Sequence, residues 1–119
     1  MKNSQVKKTV RKHIKWWSRW LGLNYGRIDI RFVEFIKDAE GPDVVGTCNT
    51  DWRYQETVIT FALHKMRDFD KECIEKTVVH ELMHVFLNEM REDGIDHEER
   101  VATNLQKAFF WVRNGLKDA

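Results

Sequence analysis

His80-Glu81-Leu82-Met83-His84 sets two histidines and a glutamate inside an apolar stretch, with Val78 and Val79 before it and Val85 and Phe86 after it. In an α-helix, residues four apart stand one turn above the other on the same face. A fold that takes this segment as a helix must therefore find partners for two imidazoles and a carboxylate. A buried polar group without a partner costs about 2–7 kcal/mol. Separate hydrogen bonds could satisfy each group, but one divalent cation answers all three demands together. Histidines at this spacing grip Zn²⁺ from one side, and the glutamate between them can act on the metal's water. The segment predicts a helix that carries a metal centre.

Two histidines leave a catalytic zinc one protein ligand short. The last helical segment offers His97, Glu98 and Glu99 in its first turn. Extending its apolar stripe backward from Leu105, Ala102 and Val101 reaches Glu98, with His97 next best placed. Glu99 falls towards solvent with Thr103 and Gln106. Acidic residues are also favoured in a first helical turn by the helix dipole alone. Glu98 is the leading third ligand, ahead of His97 and Glu99, and Glu81 is the general base. Tyr54, His64, His97 and Arg100 are the candidates for stabilising a developing oxyanion.

The rest of the chain supplies elements to hold such a helix. Residues 4–21 read as an amphipathic helix, with Val6, Val10, Ile14, Trp17 and Leu21 on the apolar face. Residues 22–26 form its exit and a turn. Ile28, Ile30 and Phe32 alternate with polar or exposed positions as a half-buried strand does. Residues 37–43, with Gly41-Pro42, form a loop. Val44 to Asn49 reads as a second strand, and Thr57 to Phe61 as a β-branched third. Short connections favour antiparallel pairing and leave a mixed sheet open. Asp70 is the expected N-cap of the His80–His84 helix, which should fade near Met90. Asp96 is the expected N-cap of the last helix, whose buried stripe is Val101, Ala102, Leu105, Ala108, Phe109 and Val112. The fold class is α+β, a single domain over residues 1–119.

Composition narrows the function. With 42% hydrophobic and 33% charged residues, the chain has the profile of an ordinary globular domain. No uncharged apolar run is long enough to cross a bilayer, and the lysines and arginines of the first segment interrupt any signal-peptide core. Cys48 and Cys73 give no disulfide framework and read as small buried hydrophobes. A cytoplasmic protein is expected. Residues 1–20 carry seven Lys or Arg and no acid, so that against a net charge of +1 the remainder carries −6. That basic face is read as a solvated helix surface, with nucleic acid as the alternative partner and no membrane association. Trp16, Trp17, Trp20, Trp111, Phe109 and Phe110 are read as packing residues, Trp16 partly exposed.

Thr77 to Leu87, reading TVVHELMHVFL, resembles the active-site helix of the zincin metallopeptidases. Asp96 to Leu105 resembles the glutamate-bearing helix of their gluzincin branch, as found in minimal gluzincins and ImmA/IrrE-like peptidases. The resemblance implies a zincin-like arrangement: an N-terminal helix, a three- or four-stranded sheet, the HExxH helix and a ligand-bearing C-terminal helix. It implies Zn²⁺ on His80, His84 and a glutamate, foremost Glu98, with Glu81 catalytic. It also implies an edge strand, around Val44 to Asp51, that binds peptide by strand addition. The chain departs from the pattern in its short spacing between His84 and Glu98. It also lacks a separate downstream subdomain to wall the cleft, so the expected substrate is a flexible segment of another protein, or a partner or second copy completes the site.

The activity expected is zinc-dependent peptide hydrolysis on a narrow set of peptide or protein substrates. A zinc-binding, non-hydrolytic recognition protein of the same fold is one alternative. A DNA-associated protease of the SprT-like kind, using Lys7, Lys8, Arg11 and Lys12, is the other.

Overall fold

The computed structural model describes residues 1–23, 27–37, 44–51, 56–87 and 98–118. Helix α1 spans Asn3–Trp20, and its apolar face is the expected one: Val6, Val10, Ile14 and Trp17 are all buried. At its start the Gln5 side chain accepts from the Lys2 N–H at 3.1 Å. It ends where Gly22 adopts φ 72°, a left-handed conformation that glycine takes without a Cβ clash. The Leu23 N–H then donates to the Ser18 carbonyl at 2.7 Å and that of Gly22 to Arg19 at 3.2 Å, closing the helix with a Schellman motif.

Three strands follow, β1 Arg27–Val33, β2 Gly46–Asp51 and β3 Glu56–Ala62. Their order in the sheet is β1-β3-β2. β1 runs parallel to β3, with Ile30 opposite Ile59, while β2 runs antiparallel to β3, with Cys48 opposite Ile59. The sheet is therefore mixed, and the last strand in sequence is the central one. Thr57, Ile59, Phe61 and Ala62 of β3 are buried, as that position requires. The register places Ile28, Ile30 and Phe32 beside Thr57, Ile59 and Phe61, and these beside Thr50, Cys48 and Gly46, all on one face. Ile59 and Phe61 on that face join the helices in one hydrophobic core.

A single helical turn, α2 Leu63–Met66, buries Leu63 and Met66 directly after β3; no periodicity announces so short an element. Helix α3 spans Lys71–Phe86, with Asp70 as N-cap accepting from the Cys73 N–H at 2.8 Å. It ends at Leu87, short of the expected Met90. Residues 88–97, with Met90, Asp96 and His97, lie outside the described residues. Helix α4 spans Glu98–Asp118.

Three expectations are corrected in α4. Ala108 and Val112 are exposed and Trp111 is 80% exposed, while Ala102 and Phe110 are buried. The helix is turned so that Phe110 stacks on Trp17 at 5.4 Å and Phe109 meets Trp20 edge-on at 5.8 Å. Arg113 takes the inward position in place of Val112, because its guanidinium reaches Glu75 of α3 with bonds of 2.7 and 3.0 Å. Phe86, in the apolar stretch after His84, is likewise exposed. The architecture is α+β, with four helices and a three-stranded mixed sheet among the described residues. No described helix is long and apolar enough to cross a membrane.

Candidate metal centre

Helix α3 is the hub of the fold, packed against α1, α4 and β2. Ile74, Val78, Leu82 and Val85 turn inward, and the helical period then carries His80 and His84 to the side that faces α4. His84 and Glu81 are buried, whereas His80 is partly open. The two imidazole rings stand 5.0 Å apart, nearly perpendicular.

The first turn of α4 meets them with both of its glutamates, which divide the work. Glu99 places one carboxylate oxygen 3.0 Å from Nε2 of His80 and the other 2.8 Å from Nε2 of His84. Glu98 places an oxygen 2.6 Å from the other nitrogen of His84, Nδ1. Glu98, first among the sequence candidates for third ligand, is thus at the far side of the ring from Glu99. Glu99 is 75% exposed in its side chain yet reaches both rings. A helical side chain leans towards the N-terminus of its helix, so an acid in the first turn can bend over the helix end to a neighbour that the stripe does not predict.

Two imidazole nitrogens and one carboxylate oxygen, from His80, His84 and Glu99, lie within 4.8 Å of one another. Nitrogen and carboxylate donors of this kind can hold a divalent metal ion. A histidine that binds metal through one nitrogen commonly donates its other N–H to a carboxylate, which fixes the tautomer and the ring orientation. The contact of Glu98 with Nδ1 of His84 has that form. The residues present fit such an ion.

Glu81 lies against β2. A Cβ built on Gly46 would stand 3.0 Å from Oε1 of Glu81 and 3.1 Å from Cδ. Glycine at the head of the strand leaves the room this carboxylate occupies. A glycine inside a strand pattern marks such a close approach, and Val44-Val45-Gly46 carries that signal in the sequence. Two clefts meet at this point, sharing Val44, Gly46, Glu81 and Glu99. One, of about 570 Å³, runs past His80, Thr77 and Cys73. The other, of about 370 Å³, runs past His84 along Thr47, Cys48 and Asn49 of β2. Among the described residues β2 is an edge of the sheet, bonded to β3.

Other candidates lie elsewhere. His64 sits in α2, with Nδ1 2.7 Å from the Glu34 carbonyl and its ring 4.3 Å from that of Phe35. It lines neither cleft, and neither does Arg100, which is exposed. Tyr54 and His97 are outside the described residues. Cys73 is exposed and not the buried hydrophobe expected, because it stands on a different face of the first turn of α3 from Ile74, which enters the core; Cys48 is half-buried in β2. The chain matches no protein-family model, no curated protein and no solved structure.

Proposed function

We propose that this protein is a zinc-dependent peptidase with a zincin-like arrangement, acting on a narrow range of extended peptide segments. The observation that carries this reading is the convergence of His80, His84 and Glu99 beside the buried Glu81, at the meeting point of two clefts. His80, His84 and Glu99 would hold the ion, and Glu98 would position His84 through Nδ1. When bound, Zn²⁺ supplies Lewis acidity and lowers the pKa of water at its open position. Glu81, buried beside these ligands, would be the group that holds a proton and passes it on during hydrolysis. β2, at an edge of the sheet among the described residues, would be the strand to which an extended substrate adds, bringing its scissile bond past Glu81. A cytoplasmic location is part of the same proposal.

Elemental analysis of the purified protein, combined with a peptide-library screen, tests the reading. About one zinc per chain is expected in wild type and none in His80→Ala or Glu99→Ala. Glu98→Gln should keep the ion but bind it about 10–100-fold more weakly, as loss of an outer partner does. Zinc lost in Glu98→Ala and kept in Glu99→Ala would exchange their roles. Glu81→Gln should retain zinc and lose hydrolysis by about 10²–10⁴-fold. A wild type that takes up no zinc, or that holds zinc and cleaves no library member, would overturn the peptidase.

A further inference from the structure

A cleft of about 800 Å³ lies between α1 and α4, and it shares no lining residue with the two clefts of the metal centre. We propose that it binds single-stranded nucleic acid, with an unpaired base against Trp16 and Trp20 and backbone phosphates along Lys8, Lys12, Lys15 and Arg19. The site is independent of the metal centre and of the peptidase reading.

The charge pattern is the first observation. Lys8, Lys12, Lys15 and Arg19 follow one another at intervals of four, three and four, so they form one stripe on α1, and all four are exposed. At 1.5 Å per residue the stripe runs about 16 Å, the reach of several nucleotides. Among the described residues none of the four forms an ion pair, and residues 1–20 hold no acid. The one carboxylate lining the cleft, Glu75, is already matched by the forked guanidinium of Arg113. The lysines and Arg19 therefore present unneutralised charge.

The aromatic surface is the second. Trp16 and Trp20 are 46% and 41% exposed, an unusual outlay of apolar surface beside so many cations. Their rings are nearly parallel, with centroids 6.1 Å apart and 15° between planes. Flat π-faces beside a cationic track are what an unstacked base and its phosphates require, and the pairing tolerates any sequence. A bilayer is less suited, because interfacial insertion needs a convex apolar face and these indoles line a concavity. An acidic peptide would use the charges but not the parallel rings. A strand is favoured over a free nucleotide because the stripe continues to Lys8, beyond the lining of the cleft.

The same helix supplies an internal control. Lys7 and Arg11 lie over the ring of Phe32, at 5.8 and 5.2 Å, on the side of the sheet. Removing them subtracts the same charge as removing Lys12 and Arg19, but from a different face. Fluorescence anisotropy of a labelled oligothymidylate of about 12 nucleotides, in about 50 mM salt, reads the difference on the intact chain. Expected are binding that weakens with salt, a loss of about tenfold in K12Q/R19Q, and a loss under about threefold in K7Q/R11Q. Trp16→Ala should weaken binding by about fivefold or more. Melting followed by circular dichroism shows that each variant is folded, and the exposed lysine and arginine variants decide the matter if Trp16→Ala is not. Absence of binding, or equal losses in the two double variants, would overturn the proposal. Tighter binding to duplex DNA, to phosphatidylserine vesicles or to polyglutamate, or equal competition by thymidine monophosphate, would also overturn it.

Discussion

Two histidine–glutamate clusters flank α3, and they are closed in different ways. Around Glu75, the carboxylate receives the Trp17 Nε1–H at 2.8 Å and both arms of Arg113, with His13 Nδ1 at 3.3 Å. A guanidinium is permanently charged and its fork matches two oxygens, so this cluster is complete within the protein. Around Glu99, both oxygens face imidazole nitrogens, which carry charge only when protonated. The first cluster ties α1, α3 and α4 together. In the second, the same residue types converge with donor atoms that suit a metal ion. What separates a structural clamp from a candidate reaction centre is the identity of the third group, arginine in one and a second imidazole in the other.

This contrast can be broken first at the clamp. Glu75→Ala should destabilise the fold by about 1–3 kcal/mol in denaturant unfolding, because it leaves the half-buried guanidinium of Arg113 without its partner. A loss under about 1 kcal/mol would place Glu75 among ordinary surface pairs. Gly46→Ala sharpens the other side. The methyl would stand within 3.0 Å of the Glu81 carboxylate, the movable end of a long side chain. Peptide hydrolysis should fall about tenfold or more while stability changes by less than about 1 kcal/mol. Unchanged turnover in the zinc-loaded Gly46→Ala protein would detach Glu81 from the proposed hydrolysis.

The smallest effect concerns pH. Burial pushes the pKa of His13 down, more than the neighbouring Glu75 pulls it up, and Lys12 and Arg113 add to the depression. The unfolded chain therefore takes up a proton first, near the ordinary value of about 6.5. The contribution is full above that pH and is lost as pH falls below it towards the folded value. Against burial, which raises it, the bonds from Arg113 and Trp17 and the charges of His13 and Arg113 hold the Glu75 carboxyl below its ordinary range. Its contribution is thus kept above the usual carboxylate pKa and lost only as pH falls through the lower folded one. Stability curves of wild type and His13→Asn should diverge between pH 7 and 5 by under about 1 kcal/mol, given the partial exposure of the ring. Parallel curves would remove His13 from the clamp.

The elements were legible where local chemistry dictates them. Asp70 caps α3 as read, and the valine and isoleucine spacing fixed the inner face of α1. The sheet order was not legible, because turn residues say nothing of a third strand that inserts between the first two. The inner face of α4 was misread at Val112 and Trp111, since hydrophobic periodicity cannot see that Arg113 will be drawn in by Glu75. His80, Glu81 and His84 come from one helix, so their spacing alone brings them together. Glu98 and Glu99 come from another, and which of two adjacent acids faces a given nitrogen depends on how the helices cross.

That strand order also bears on how the chain finds its fold. The β2–β3 hairpin joins residues as close in sequence as Asp51 and Glu56, whereas β1 must wait for partners as distant as Glu56 is from Arg27. Closing the shorter loop costs less chain entropy, so the hairpin should assemble before β1 docks. The edge strand that carries Gly46 would then be in place early, with higher φ-values in β2 than in β1 as the kinetic signature.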